Sequence, residues 1–324
     1  MTTAATLFGP VTSDLTLVED ALRTVQQAEH DGLARILRHV LNGGGKRLRP
    51  AIALLAGTFG RYRIEGLVQL AVGLELLHTA SLVHDDVIDT SPMRRGRATA
   101  NAIFDNAASV MVGDYIFANA AEFIARTGNL RVIRLFARTL MIMATGELDQ
   151  DVSAYDHSKS IQDYFRRISG KTASLFATAG EGGAILADES EEQVEALRSY
   201  GYWLGMAFQI VDDILDFVGN PDELGKPAGS DLREGTLTLP SILLLERHPG
   251  ARNPVARYFS ARRRREQWLN EAVGVIREVG VLDEARRYAR DFVDRAAESL
   301  VILPDTESRR TLVELGEFVL RRSK

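Results

Sequence analysis

Asp212, Asp213 and Asp216 stand in the run Met206-Ala-Phe-Gln-Ile-Val-Asp-Asp-Ile-Leu-Asp-Phe217, where most neighbours are apolar. A carboxylate taken out of water costs several kcal/mol unless a cation or a metal compensates it. The same DDxxD spacing occurs earlier, at Asp85, Asp86 and Asp89 within Leu82-Val-His-Asp-Asp-Val-Ile-Asp89. On a helix, residues four apart share a face, so Asp85 pairs with Asp89 and Asp212 with Asp216, while Asp86 and Asp213 turn about 100° away. Carboxylates without cysteine ligands favour a hard cation such as Mg²⁺, which binds one or two protein carboxylates and fills its shell with water and phosphate oxygens. Either motif alone could be an acidic surface patch. Two copies set in apolar helices weigh against that reading.

The anion side has its own candidates. Asn42-Gly-Gly-Gly-Lys-Arg-Leu-Arg-Pro50 combines a backbone that can approach an anion closely with Lys46 and Arg49, and Pro50 suits the first turn of a following helix. The GxxxxGK[ST] spacing of nucleotide-hydrolase phosphate loops is absent from this stretch. Just beyond the first aspartate motif, Ser91-Pro-Met-Arg-Arg-Gly-Arg97 supplies guanidiniums suited to bidentate phosphate contacts. The competing readings are a flexible charged turn and a basic turn that neutralises nearby aspartate. His78 lies two turns before Asp85, and Gln209 three residues before Asp212, so each shares the face of its motif.

These residues need helices to position them. No proline occurs between Pro92 and Pro221, so long helices are allowed there. Leu67, Leu70, Leu74, Leu77, Val83 and Val87 recur at helical spacing over 65–89. Similar readings predict helices over 18–41, 107–125, 130–149, 161–180, 190–217, 237–247, 263–278, 281–300 and 306–322. No alternating β-branched run competes, so the predicted class is all-α. The Gly219–Asp231 stretch is the most loop-like and is a candidate lid. No linker rich in Pro, Gly or Ser divides the 324 residues, and a single domain over 1–324 is expected.

The formal charge of -5 argues against a broad basic surface for nucleic acid, although clusters such as Lys46/Arg47/Arg49 and Arg94/Arg95/Arg97 can bind small anions. With no cysteine there is neither a disulfide framework nor a thiolate metal site, and MTTAATLFGP lacks the regions of a signal peptide. A cytoplasmic location is expected. No uninterrupted apolar run is long enough to span a bilayer, so any membrane contact is expected to be peripheral.

The ordered motifs GGGKRLRP at 43–50, ELLHTASLVHDDVIDTSPMRRG at 75–96, GKTASLF at 170–176, FQIVDDILDF at 208–217 and GKPAGSDLREG at 225–235 resemble the trans-isoprenyl diphosphate synthases, the polyprenyl synthetase family. The resemblance implies one helical domain around a deep central cavity, with the two aspartate motifs facing each other at its mouth, and a homodimer. It implies that Asp85, Asp89, Asp212 and Asp216 hold Mg²⁺, three ions per site, against an allylic diphosphate (dimethylallyl, geranyl or farnesyl). By the same carry-over Lys46, Arg49, His78 and Arg95 bind isopentenyl diphosphate. Arg94, Lys171, Thr172, Gln209 and Lys226 meet the allylic diphosphate, with Lys171 and Arg94 joining the aspartates in catalysis. One departure is Thr236, where many relatives have Lys after DLREG, so anion contact from that position is not expected.

The implied reaction is head-to-tail condensation by ionisation, alkylation and proton loss. On the helix carrying Asp85, residues four and five earlier lie about 6–7 Å below the metals. They are Ala80 and Ser81, where short-chain members of the family tend to place an aromatic. Small residues there predict passage of a growing chain toward Leu77, Leu74 and Met111, hence a medium or long product. Alternatives are a geranylgeranyl or other shorter-chain synthase and a non-catalytic subunit of a heteromer. Terpene cyclases and head-to-head synthases lack the GGGKRLRP element.

Overall fold

The computed structural model describes residues 7–94, 96–152, 155–219, 227–261 and 265–322. Its helices are α1 (Asp14–Val25), α2 (Asp31–Leu41), α3 (Leu48–Gly57), α4 (Ile64–Ile88), α5 (Ala100–Ile103), α6 (Asn106–Arg126), α7 (Leu130–Val152), α8 (Ile161–Ile168), α9 (Ser174–Leu186), α10 (Glu191–Val218), α11 (Ser230–Arg233), α12 (Leu239–Arg247), α13 (Pro254–Ser260), α14 (Arg265–Glu278), α15 (Val281–Ser299) and α16 (Glu307–Leu320). The all-α expectation holds. Among the described residues the only strands are β1 (Met93–Arg94) and β2 (Arg97–Ala98), a two-residue antiparallel ribbon just after the first aspartate motif.

Two of the expected helices differ from their sequence reading. The single helix over 18–41 is two, because the chain leaves α1 at Gln26 and restarts at α2, where the His30 ring accepts from the Leu33 N–H (3.3 Å) as the helix cap. The expected helix over 161–180 is interrupted at Ser169–Ala173, which forms a π-helical turn between α8 and α9. Such turns often mark functional sites because they re-aim the side chains they carry. This one carries Lys171 and Thr172. Capping boxes start α8 at Ser160/Asp163 and α10 at Ser190/Gln193, fixing where both site-bearing segments begin.

The core runs along α4, which packs on α3, α6 and α9, while α9 packs on α10 and α10 on α15. Leu67, Leu70, Leu74 and Leu77 are fully buried, and trimming a core leucine of this kind to Ala costs about 2–5 kcal/mol. By length and composition α4 could cross a membrane, but 67% of its most apolar window is buried within the protein, as in the core helix of a folded domain. Close contact of α10 with the π turn depends on Gly205, where a Cβ would lie 2.6 Å from the Ala173 Cα. Any side chain there would overpack the contact that holds Gln209 beside Thr172.

Candidate active site

The two aspartate motifs end two helices of the core, α4 and α10. Asp85 and Asp86 are buried, and Asp89 is exposed at the C-cap of α4. Asp213 and Asp216 are buried, and Asp212 is half-buried. The expected split of faces is visible in their partners. Lys171 approaches Asp85 at 3.6 Å, whereas Asp86 turns to Arg94, whose Nε donates at 2.7 Å. Burial raises the Asp86 carboxyl above its usual range, against the pull of Arg94. Arg94 thus pairs through Nε with a neighbouring aspartate while its side chain stays 37% exposed.

The π turn bridges the motifs. Lys171 Nζ lies 2.7 Å from a Glu147 oxygen as well as 3.6 Å from Asp85. Burial alone would lower the Lys171 pKa, but Asp85 and Glu147 together raise it, so the ammonium is held charged. Burial raises Glu147 against the opposing effect of Lys171. The next residue, Thr172, donates to Gln209 Oε1 (2.7 Å), and Gln209 Nε2 donates to Asp213 Oδ1 (2.8 Å). Asp213 also accepts from the buried Tyr164 hydroxyl (2.7 Å), and its burial, with Asp231 nearby, pushes its carboxyl up to about 7. One five-residue turn therefore touches Asp85 from α4 on one side and the Gln209–Asp213 stretch of α10 on the other.

The cationic loop before α3 divides in two. Arg47 adopts a left-handed backbone (φ 51°) and pairs with Glu19 and with Glu75, the latter at 2.6 Å. It therefore ties α1 and α4 to the loop and leaves the group of small-anion candidates in which its sequence placed it. Lys46 and Arg49 sit on either side of this twist, over the rings of Phe318 (5.5 Å) and Phe176 (4.4 Å). Phe176 belongs to α9 and Phe318 to α16, so both cations border the helices around α10. Arg322, which the sequence reading did not single out, meets Asp212 at 2.8 Å and stacks on Phe208 at 4.3 Å. Burial raises Asp212, while Arg322 and Lys46 oppose that rise, so Lys46 is electrostatically within reach of the second motif.

His78 is half-buried on α4 two turns before Asp85. Arg95, Lys226 and the 220–226 part of the candidate lid lie outside the described residues. At the end of that loop, the Gly229 N–H donates to the Asp216 carbonyl (2.9 Å) and the Asp231 N–H to the Asp216 carboxylate (3.3 Å), anchoring it to the motif. Ala80 is fully buried and Ser81 half-buried, whereas Met111 is 70% exposed and does not line the interior. Two surface cavities, of about 490 and 530 Å³, are lined from Arg63, Gly66, Gln69, Arg126 and Leu186 and from Leu130, Arg134 and Arg138. Neither includes a motif aspartate.

Among the described residues no three carboxylate or imidazole groups already converge as a metal cage. The donor set still fits Mg²⁺, which takes one or two carboxylates per ion and relies on water and phosphate oxygens for the rest.

The profile of the polyprenyl synthetase family matches residues 30–276. The chain is 40% identical over 286 residues to an octaprenyl diphosphate synthase of Haemophilus influenzae, covering 88% of this chain and 87% of that one. It is 37% identical over 318 residues to heptaprenyl diphosphate synthase component 2 of Geobacillus stearothermophilus, covering 98% of both. The crystal structure of a polyprenyl synthase from Caulobacter crescentus, complexed with calcium and isoprenyl diphosphate, superimposes with a TM-score of 0.94 at 35% identity over 99% of this chain and 98% of the other.

Proposed function

The chain belongs to the polyprenyl synthetase family and is a prenyltransferase, a polyprenyl diphosphate synthase of medium or long chain, and from that premise we propose how its residues divide the work. Asp85, Asp89, Asp212 and Asp216 hold three Mg²⁺ ions against the allylic diphosphate, in a family that is magnesium-dependent. Arg94, Lys171, Thr172, Gln209 and Lys226 meet that substrate. Lys46, Arg49, His78 and Arg95 bind isopentenyl diphosphate. The observation that carries this reading is the π turn, which sets Lys171 against Asp85 and Thr172 against Gln209 and so joins both motifs in one site.

Bound magnesium supplies charge stabilisation as the allylic carbon–oxygen bond breaks. The protein adds fixed cations: Lys171, kept charged by Glu147 and Asp85, faces the diphosphate that accumulates negative charge. The double bond of isopentenyl diphosphate then attacks the allylic cation, and a proton leaves to the departing diphosphate, so no protein nucleophile is needed. Ala80, Leu77 and Leu74 are fully buried on α4 before Asp85 and make this end of the site apolar, which disfavours water near the reacting carbons.

The same reading gives a single domain over 1–324, a cytoplasmic location with at most peripheral membrane contact, and a homodimer. Exposed apolar side chains on two adjacent helices support the dimer: Val110, Met111 and Tyr115 on α6, and Leu130, Met141, Ile142 and Leu148 on α7. Several large apolar side chains exposed on neighbouring helices favour an interface there. A second copy of this chain is the occupant, and a monomeric mass by light scattering would contradict it. The relative called component 2 favours a second reading, in which the partner on this face is a different chain needed for turnover.

Lys46→Ala and Arg49→Ala test the division between substrates. Each is expected to raise the KM for isopentenyl diphosphate far more than that for the allylic substrate, because the contact holds the same group throughout the reaction. Steady-state kinetics with each substrate varied in turn reads this. An effect confined to the allylic substrate would reverse the assignment.

A further inference from the structure

Asp213 is the aspartate of the second motif that turns away from the metal-facing edge, and it is 3% exposed. Both of its oxygens are occupied: Tyr164 Oη donates to one at 2.7 Å and Gln209 Nε2 to the other at 2.8 Å. Tyr164 is itself 2% exposed, and burial beside Asp213 holds its phenol well above the usual range, so it stays protonated and can only donate here. The ring is fixed by the Arg167 guanidinium, 5.4 Å above it and anchored on the Leu237 carbonyl at 2.6 Å. With its nitrogen committed to Asp213, the Gln209 amide must present its oxygen to Thr172, whose hydroxyl donates to it at 2.7 Å. The Thr172 hydroxyl is therefore held against Gln209 as the last member of this chain of hydrogen bonds.

We propose that Tyr164 and Asp213 are positioning residues of the allylic side of the site, which fix the orientation of the Gln209 amide and, through it, the place of the Thr172 hydroxyl. The inference rests on the proposed function, since it takes Thr172 and Gln209 as allylic-substrate residues. It explains a tyrosine rather than a phenylalanine at 164: without the hydroxyl one oxygen of a buried carboxylate loses its donor, and the amide loses the reason to keep one face. It also gives the middle aspartate of the second motif a task other than metal binding.

The test is a double-mutant cycle between Tyr164→Phe and Thr172→Val. Tyr164→Phe is expected to lower kcat/KM for the allylic substrate about tenfold while leaving the KM for isopentenyl diphosphate within about twofold of the parent. Added to Thr172→Val, it should cost clearly less than it does alone, because one of the two groups it orients is already gone and only Gln209 remains. A structural role alone would penalise both backgrounds and both substrates equally. That additive result, or parental kinetics for Tyr164→Phe, would overturn the proposal. Circular dichroism and thermal melting report whether Tyr164→Phe folds; if it does not, Asp213→Asn takes its place in the same cycle with the same expected coupling. Failure of the parent to elongate would remove the functional reading and this inference with it, whereas a working parent with additive variants would remove this inference alone.

Discussion

Asp85→Ala and Asp212→Ala should each cut magnesium-dependent turnover by orders of magnitude while the far-UV spectrum stays helical. On the proposed reading each aspartate supplies ligands to one shared cluster, and losing a single preorganised electrostatic group at a reacting centre commonly costs about 10²–10³ in rate. The fold should tolerate both changes. Asp85 lies 3.6 Å from a Lys171 that keeps Glu147 as its closer partner. Asp212→Ala leaves Arg322, whose side chain is 9% exposed, without its carboxylate, so that variant should melt somewhat earlier than Asp85→Ala. Single-turnover assays with the allylic substrate in excess Mg²⁺ separate lost chemistry from lost binding. Near-parental activity in either variant would mean that the two motifs do not act on one cluster.

The aspartate motifs were legible because acids inside apolar helical runs are costly and need a reason, and the structure gives each motif distinct inward and outward partners. Fold class was legible for a similar reason, since helical periodicity repeats along the chain and no strand pattern competes. Other features depend on contacts between residues distant in sequence. Tyr164 meets Asp213 across 49 residues, and Lys171 meets Glu147 across 24. No local spacing signals either pair. The π turn is only weakly signalled: Gly170 lowers helix propensity there, but glycines also occur inside α9, which continues as regular helix. Arg47 shows the limit of reading charge clusters: it lies between Lys46 and Arg49 but has a left-handed backbone and pairs with Glu19 and Glu75. The break in 18–41 was missed because Gln26–Asp31 contains neither Gly nor Pro.

An aromatic beneath the first motif should shorten the product. Ala80 is fully buried and Ser81 half-buried, with the Ser81 hydroxyl turned back onto the His78 carbonyl at 2.8 Å. Along α4, Ser81 sits about 6 Å and Ala80 about 7.5 Å from Asp85. Ala80→Phe or Ser81→Phe would project a ring where the growing chain must pass, without touching the diphosphate contacts. Overpacking at Ala80 is expected to cost about 1–3 kcal/mol, so Ser81→Phe is the gentler probe. Leu77→Ala or Leu74→Ala should act in the opposite sense and lengthen products, at a stability cost of about 2–5 kcal/mol each. Chromatography of the dephosphorylated products at equal substrate ratios reads both effects. An unchanged distribution in folded, active variants would place the floor of the chain on a helix other than α4.

The most direct measurement of the central claim uses the purified chain alone, supplied with isopentenyl diphosphate, an allylic starter and Mg²⁺, with product length resolved by chromatography and a matched reaction in chelator. The account predicts all-trans products of medium or long chain, formed without any second polypeptide and abolished by the chelator. Products that stop at fifteen or twenty carbons would contradict the reading of the small residues at 80 and 81, and absence of turnover until a different chain is added would contradict the claim that both motifs of this chain make a complete site.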